Sequence, residues 1–179
     1  KGSFNMIKKY EGELGRFEYD DEEFEFFNTI PMEDDGITNY HVGLKYIGDE
    51  TDGAKIKIPE GIIDCSYMFL DNNALITPPV IPDSVKCCYC MFAYAINMRK
   101  APVIPNKVSD CSYMFMYCVS LETSSEIPNS VVNAKGMFDN CIKLAKAPKI
   151  PDSVINSSGM FANCFNIKNI EDVPEDLIC

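Results

Sequence analysis

The sequence predicts an α/β repeat solenoid that carries a small antiparallel β cap at its N-terminal end. Two dipeptides, one Met-Phe and one Ile-Pro, recur every 23 residues without insertion. The Met-Phe pairs stand at 68–69, 91–92, 114–115, 137–138 and 160–161, and the Ile-Pro pairs at 58–59, 81–82, 104–105, 127–128 and 150–151. A fixed period of this length is typical of solenoids, in which one short unit buries its apolar face by stacking on its copies. We therefore expect an array over residues 54–179, with five copies and a partial sixth.

The first 53 residues do not follow this period and predict the cap. Arg16–Tyr19 and Glu22–Phe27 alternate aromatic and charged residues on either side of Asp20-Asp21, which indicates a β-hairpin. Residues 40–47 predict a further strand, and Met32–Gly36 predicts a solvated loop. A charged hairpin laid across the end of the array would cover both its apolar cross-section and its unpaired strand edge.

Within the array, apolar residues recur in three columns that we expect to face inward. The Phe column is Phe69, Phe92, Phe115, Phe138 and Phe161; the Val column is Ile62, Val85, Val108, Val131, Val154 and Leu177; the Leu column is Leu75, Met98, Leu121, Leu144 and Ile167. Burying one such side chain contributes roughly 1.5–3 kcal/mol. The stacked layers are therefore expected to hold the array together without disulfides or a metal.

Each copy is expected to contain one short strand and one short turn. The strand lies between the Leu column and Ile-Pro, and the copies together form a parallel sheet on one face. Pro79, Pro102 and Pro148 remove ladder donors, so we expect strands of only a few residues. Opposite them, apolar and cysteine residues spaced three and four apart predict a short helix or 3-10 turn around Ser112–Phe115. After Glu171, the acidic tail is either a minimal cap or the place where a longer chain was cut.

Composition and charge narrow the function classes. Of the 179 residues, 46% are hydrophobic and the net charge is −11, with the acidity concentrated at both ends of the chain. The absence of a basic stripe argues against nucleic acid and anionic membrane surfaces. The sequence contains no run of about 18 apolar residues, so we expect no membrane insertion. The single histidine, His41, lies in the predicted cap, which leaves little room for His-dependent catalysis or metal binding.

The N-terminal residues bear on localisation. Residues 1–5 resemble an expression remnant, so we expect Met6 to be the native start. The residues after Met6 soon become acidic and contain no apolar signal core, which predicts a cytoplasmic protein. If a signal peptide has been removed, the protein would instead be secreted or displayed at the cell surface.

Six of the nine cysteines fall on two repeat columns. One contains Cys118, Cys141 and Cys164, preceded by Asn72 and Ala95; the other contains Cys65, Cys88 and Cys111, followed by Ala134 and Ser157. The other residues in these columns are small or polar, which indicates a ladder of packed structural thiols. A disulfide along a column is geometrically possible but not required.

Three other features suggest chemistry, and each has a simpler interpretation. Cys87 and Cys90 have the spacing of half a zinc site, but no second half with matching spacing follows. Nucleophilic catalysis would need a base beside a thiolate, and His41 is far from the cysteine columns in sequence. The acidic run Asp20–Glu23 lacks the spacing of a calcium loop and fits a solvated turn better. We therefore expect no enzyme activity, no cofactor and no metal.

The repeat unit resembles the BspA-like leucine-rich repeats of bacteria. The shared positions are Phe115, Cys118, Leu121, Ile127-Pro128 and Ser130-Val131, at the same period. The resemblance covers about two-thirds of the chain, from Lys55 onward. Met before Phe and Pro within the strand segment depart from the family pattern. The resemblance implies a right-handed, leucine-rich-repeat-like coil without catalytic activity that binds a ligand and is often displayed on cell surfaces.

The predicted strand face is the candidate binding surface. Its residues change from copy to copy, whereas the apolar columns beside it stay apolar in every copy. The candidate residues are Arg99, Lys100, Val103, Glu122, Glu126, Lys146 and Lys149. A regular scaffold with changing outward residues is how repeat proteins present a recognition surface, although the same residues could merely keep the protein soluble. We expect a protein-protein interaction module with an unknown protein partner. The alternatives are an adhesin-like or self-stacking structural module with end-to-end self-association and, less favoured, a thiol or zinc protein.

Overall fold

The computed structural model describes residues 8–12, 15–19, 44–169, 171 and 173–178. Ahead of the array, three strands form an antiparallel sheet in the order β1-β2-β3: β1 (Lys8–Gly12), β2 (Gly15–Tyr19) and β3 (Leu44–Tyr46). β2 covers the predicted strand Arg16–Tyr19 and begins one residue earlier, β3 lies within the predicted strand 40–47, and β2 pairs with β1, which was not predicted. The predicted strand Glu22–Phe27, the acidic run Asp20–Glu23, the loop Met32–Gly36, His41 and Cys179 lie outside the described residues.

β3 joins this sheet to the array. The main-chain N–H of Tyr46 donates to the carbonyl of Met68 at 2.7 Å, and the Tyr46 ring lies 5.2 Å from the Phe69 ring between centroids. Leu44 and Tyr46 are both buried in the same core as the repeats. The N-terminal sheet thus covers the first Phe of the column with an aromatic ring.

The array winds as five successive coils: coil 1 (54–74), coil 2 (75–97), coil 3 (98–120), coil 4 (121–143) and coil 5 (144–166). The five Phe residues form one continuous stack, with neighbouring centroids 5.2, 5.8, 5.4 and 5.5 Å apart and the rings within 17° of parallel. All five are fully buried, as are the five Met residues before them. The prediction of a repeat solenoid with a shared apolar core is confirmed by this stack.

The segment around Met-Phe folds as three linked turns. In coil 3 the N–H groups of Met114, Met116 and Cys118 donate to the carbonyls three residues before them, at 3.0–3.1 Å. Tyr113 and Tyr117 have positive φ values of 55° and 58°. Residues with positive φ interrupt a right-handed helix and are characteristic of type II turns. The predicted helix or 3-10 turn at Ser112–Phe115 is therefore wrong, and linked turns take its place.

Within these turns, every second N–H group is not used by the turn itself and instead donates a hydrogen bond to the next coil. In each of coils 1–4, four N–H groups donate to carbonyls 22 residues later, at 2.8–3.0 Å. In coil 3 the donors are Cys111, Tyr113, Phe115 and Tyr117. We call the segments 65–72, 88–95, 111–118, 134–141 and 157–164 the turn face. Its hydrogen bonds, together with the Phe stack, hold successive coils in register.

The predicted parallel sheet is reduced to isolated bridges in the described part of the array. Parallel bridges join Lys57 to Val80 and Lys100 to Thr123 in the expected segment. A longer row of bridges instead follows the Val column, through Asp64, Cys87, Asp110, Asn133 and Asn156. Pro residues explain the sparse pairing of the expected segment, because they have no N–H to donate.

The last described turns continue the repeat pattern at the C-terminal end of the array. After the Ile-Pro pairs of coils 2–5, the Val-column N–H donates to the proline carbonyl at 3.1 Å, and Leu177 repeats this bond with Pro174 at 3.0 Å. The described 3-10 helices are Gly53–Lys55 before coil 1 and Glu175–Leu177 after coil 5. The carbonyl of Leu177 accepts the N–H of Phe161 at 2.7 Å, so this turn lies over the last Phe.

No helix among the described residues has the length and apolar character needed to cross a membrane.

Candidate functional site

The strand face consists of the segments 76–80, 99–103, 122–126 and 145–149, and it brings the predicted binding residues to one surface. The charged members are exposed: Arg99, Lys100, Glu122, Glu126, Lys146 and Lys149. Val80 and Val103 stand in the same column as Glu126 and Lys149 and are 80% and 82% exposed. Two neighbouring exposed valines among charged side chains form an apolar centre with a polar surround, which is the usual anatomy of an interface.

A groove of about 750 Å³ opens on this face between coils 4 and 5. Its walls come from Ser124, Ser125, Glu126, Ile127 and Asn129 on coil 4, and from Lys146, Ala147, Pro148, Lys149, Pro151, Asp152 and Ser153 on coil 5. Ligand pockets commonly have volumes of about 300–1,000 Å³, so its size suits a short stretch of polypeptide. Three of the seven predicted binding residues, Glu126, Lys146 and Lys149, lie along it.

The groove begins where the hydrogen bonds between coils stop. Upstream, the N–H of Ala145 donates to the carbonyl of Glu122 at 3.3 Å, so the two coils are still paired there. One copy earlier, Ala101 N–H donates to the Thr123 carbonyl at 3.0 Å. Ser124 is the equivalent of Ala101 in coil 4, and its N–H has no acceptor among the described residues.

Ser125 adds two more unused donors to the same wall. Its column carries Pro79, Pro102 and Pro148 in three other copies, which have no N–H. The Ser125 N–H has no acceptor, and its hydroxyl oxygen is buried without a partner in the part of the chain that the structure describes. Buried polar atoms in native proteins are nearly always hydrogen-bonded, so such an exception points to a missing ligand or water.

Ser153 shows the same departure on the facing wall. The serines of its column in coils 2 and 4, Ser84 and Ser130, each donate to the carbonyl 22 residues earlier, at 2.7 Å. The hydroxyl oxygen of Ser153 is buried and makes no hydrogen bond to a described residue. Ser112, on the turn face, is the one other described residue with a buried, unpartnered side-chain oxygen or nitrogen. Two of these three hydroxyls therefore belong to the groove.

The groove carries opposite charges toward its two ends. Lys146 on the coil 5 wall follows Ala145, whose N–H donates to coil 4, and Asp152 lies six residues further along the same wall. Lys149 and Glu126 occupy one column between them, on neighbouring coils. No ion pair between these four groups is found in the described structure, where the recorded bridge is Lys55 to Glu50. Their charges are thus available to a ligand.

The first cysteine column forms a row of thiol hydrogen bonds. Cys118, Cys141 and Cys164 donate to the carbonyls of Phe92, Phe115 and Phe138 at 3.1, 3.1 and 2.9 Å. All three side chains are buried. Burial raises the pKa of the Cys118 and Cys164 thiols to about 12, and that of the Cys141 thiol well above its usual range. These thiols stay protonated and link each coil to the one before it.

The second cysteine column and the two cysteines outside the columns are also buried free thiols. Burial raises the pKa of Cys65, Cys88 and Cys111 well above the usual value. Cys87 lies in the bridge row, 3.3 Å from the Ser66 hydroxyl, and Cys90 takes the positive-φ turn position. No group of three or more metal-ligating side chains occurs within the described ranges. Protonated thiols in this setting pack and donate, and they are poor nucleophiles.

Sequence reasoning missed Ser124, Ser125 and Ser153. The signal that could have found two of them is the Ser-Ser pair at 124–125, which replaces Pro78-Pro79, Ala101-Pro102 and Ala147-Pro148 of the other copies. Ser153 gives no such signal, because serine is an ordinary residue in its column. Only the hydrogen bonds of its equivalents reveal that its own bond is absent.

Comparisons with known proteins give one similar structure. No protein-family model matches the chain, and no curated protein matches it. A crystal structure of a leucine-rich repeat protein from T. pallidum is 18% identical and covers 75% of this chain and 87% of its own, with a TM-score of 0.37. A likeness at that level carries no conclusion, so the architecture rests on the repeat geometry described above.

Proposed function

We propose that this chain is a BspA-like leucine-rich-repeat module that binds a protein partner through its strand face. The observation that carries the proposal is the contrast within each coil. The inward columns keep apolar residues in every copy and the turn face of coils 1–4 is hydrogen-bonded to the next coil, whereas the strand face is exposed and changes its residues from copy to copy. Val80 and Val103 provide an exposed apolar centre, and exposed apolar patches on soluble proteins commonly mark interaction sites.

The chemistry of the remaining groups supports binding over catalysis. The described thiols of the array are buried and protonated, and the strand face offers charges, hydroxyls and main-chain donors without a base placed beside a nucleophile. Such groups recognise a partner by hydrogen bonds and charge. The proposed activity is therefore non-catalytic.

Charge reversal on the face tests the proposal. The variant Arg99→Glu, Glu122→Lys, Glu126→Lys, Lys149→Glu keeps the net charge of the chain. A matched control reverses two acidic and two basic exposed residues outside the face: Glu60→Lys, Asp83→Lys, Lys107→Glu, Lys143→Glu. In a pull-down from the source cells, partners retained by the wild type and the control should be lost by the face variant. Identical partners for both variants would reject the strand face as the binding surface.

A second candidate, end-to-end self-association, is favoured by the hydrogen bonds at the two ends of the turn face. In coil 5 the N–H groups of Ser157, Gly159 and Asn163 make no main-chain hydrogen bond to a described residue, whereas their equivalents in coils 1–4 donate to the next coil. In coil 1 the carbonyls of Asp64 and Ser66 accept no hydrogen bond from a described residue. The donors of coil 5 and the acceptors of coil 1 belong to the same rows of the turn face, so they would pair if the coil 5 end of one molecule stacked on the coil 1 end of another.

Sedimentation across a wide concentration range tests this candidate. Ile155 and Phe165, which flank the coil 5 donors in sequence, are 84% and 81% exposed. Stacking predicts a mass that rises with concentration in the wild type and remains monomeric in Ile155→Glu, Phe165→Glu. A wild type that is monomeric throughout removes self-stacking and leaves the partner-binding proposal intact.

A further inference from the structure

We infer that the groove between coils 4 and 5 binds an extended segment of a partner protein, which completes the interrupted hydrogen bonds with its own main chain and carries both an acidic and a basic side chain. The inference rests on the proposed function and specifies what the partner presents to the strand face. Three features of the groove support it: unused donors, the length of chain that lines each wall, and separated charges.

The unused donors call for hydrogen-bond acceptors. The N–H groups of Ser124 and Ser125 on one wall have no main-chain acceptor among the described residues, and the hydroxyls of Ser125 and Ser153, on facing walls, have no partner there. An extended polypeptide presents a carbonyl every second residue to each side, as the added strand does in β-augmentation. Serine has three staggered χ1 rotamers, and a change of rotamer reorients the hydroxyl of either serine.

The shape of the groove fits such a segment. The coil 4 wall runs from Ser124 to Asn129, and the facing wall runs from Lys146 to Ser153. Six residues of extended chain span roughly 20 Å at about 3.3 Å per residue, so the walls can accompany about four to six residues of a bound peptide. Because the walls belong to neighbouring coils, the bound segment lies along the coil direction.

The charged side chains of the groove walls determine which kind of peptide segment the groove favours. Lys146 at the start of the groove favours an acidic side chain, and Asp152 toward the other end favours a basic one. Lys149 and Glu126 share one repeat column on neighbouring coils between these two ends, where their opposite charges favour a neutral stretch. A uniformly acidic or uniformly basic peptide would meet one repulsive end, which is how charge placement rejects wrong partners.

The deciding variant is Ser125→Pro. It gives coil 4 the residue that coils 2, 3 and 5 carry in this column, removes an N–H and a hydroxyl, and fills space in the groove. Proline fits the repeat backbone at this column in three copies, so the variant should fold. Ser125→Ala serves as a second variant that removes the hydroxyl alone, and circular dichroism checks both folds.

The probe is a phage-displayed library of random dodecapeptides, panned on the wild-type chain. Enriched peptides are synthesised, and their dissociation constants for wild type, Ser125→Pro, Ser125→Ala, Lys146→Glu, Lys100→Glu and Lys107→Glu are measured by titration. We expect enriched peptides that contain one acidic and one basic residue. Their affinity should fall at least about tenfold in Ser125→Pro and Lys146→Glu, fall less in Ser125→Ala, and remain unchanged in Lys107→Glu, whose exposed side chain lies outside the strand face.

Three outcomes would overturn the inference. One is a library that yields no specific binder. Another is a set of binders that Ser125→Pro retains at full affinity, and the third is a set with a single sign of charge. Binders that are lost in Lys100→Glu but kept in Ser125→Pro would uphold the strand face as a binding surface while rejecting the groove, so the two proposals fail separately.

Discussion

The turn face and the strand face of the same coils use their main-chain hydrogen bonds in opposite ways. On the turn face, four N–H groups per coil in coils 1–4 find carbonyls on the next coil at 2.8–3.0 Å. On the strand face, prolines remove donors from most copies, and coil 4 has donors at Ser124 and Ser125 that find no acceptor among the described residues. Regularity in this repeat protein is thus concentrated where it holds coils together. Departures from it on the other face are where binding is to be sought.

The largest effect should come from breaking the Phe stack. Phe115→Ala removes a fully buried ring that lies 5.8 and 5.4 Å from its two neighbours, and it should lower the free energy of unfolding by about 3–5 kcal/mol. Denaturant unfolding followed by circular dichroism measures the change. Phe165→Ala is the matched control, because its ring is 81% exposed and its loss should change the free energy by no more than about 0.5 kcal/mol. Equal losses would mean that the stack does not carry the core.

The next effect concerns the thiol row and depends on pH. Burial raises the pKa of Cys118 to about 12, whereas an unfolded thiol titrates near about 8.5. Because the folded chain holds the proton that the unfolded chain releases, the stability is complete below about pH 8.5 and falls as the pH rises toward about 12. Cys118→Ser should therefore reduce the slope of unfolding free energy against pH by about 1.4 kcal/mol per pH unit between about pH 9 and pH 11.

A thiol added to the same column provides the control for this slope. Ala95 occupies the equivalent buried position in coil 2, and Ala95→Cys should steepen the slope by a similar amount. Urea unfolding at several pH values measures all three proteins. A slope that neither variant changes would show that these thiols titrate alike in the folded and unfolded states.

The sequence predicted the core columns and missed the backbone path between them. Phe, Val and Leu recur at a constant 23-residue spacing, and only a stacked coil brings such residues into one row. The linked turns were missed because Tyr113 and Tyr117 show no preference for positive φ. The signal was present in other copies, since Gly136 and Gly159 share the column of Tyr113, and Asn140 and Asn163 share that of Tyr117. Glycine and asparagine are the residues that tolerate a left-handed backbone best.

The strand face was predicted from variability alone, which identifies exposed residues but not the groove between them. Whether Ser124 and Ser125 find acceptors depends on the separation of coils 4 and 5, which no local pattern specifies. The substitution of Ser125 for proline marks the place, and the structure shows its consequence.

A smaller effect separates the serines of one column. Ser130→Ala removes a hydroxyl that donates to the Val108 carbonyl at 2.7 Å and should lower the free energy of unfolding by about 0.5–1.5 kcal/mol. Ser153→Ala removes a buried hydroxyl without a described partner, so it should leave the stability unchanged or raise it slightly. Thermal and urea unfolding of both variants give the comparison. A loss at Ser153 as large as that at Ser130 would mean that the Ser153 hydroxyl is already satisfied.

The smallest effect joins stability to binding at Ser125. Proline at a position whose backbone it fits restricts the unfolded chain, so Ser125→Pro should raise the free energy of unfolding by about 0.4–1 kcal/mol. It also removes a buried hydroxyl that has no described partner. The same substitution is expected to abolish peptide binding in the groove, because it removes two donors from the wall. A more stable protein that no longer binds would show that coil 4 retains serine for recognition at a cost in stability, as functional sites commonly do. A variant that loses stability together with binding would instead assign Ser125 to the scaffold.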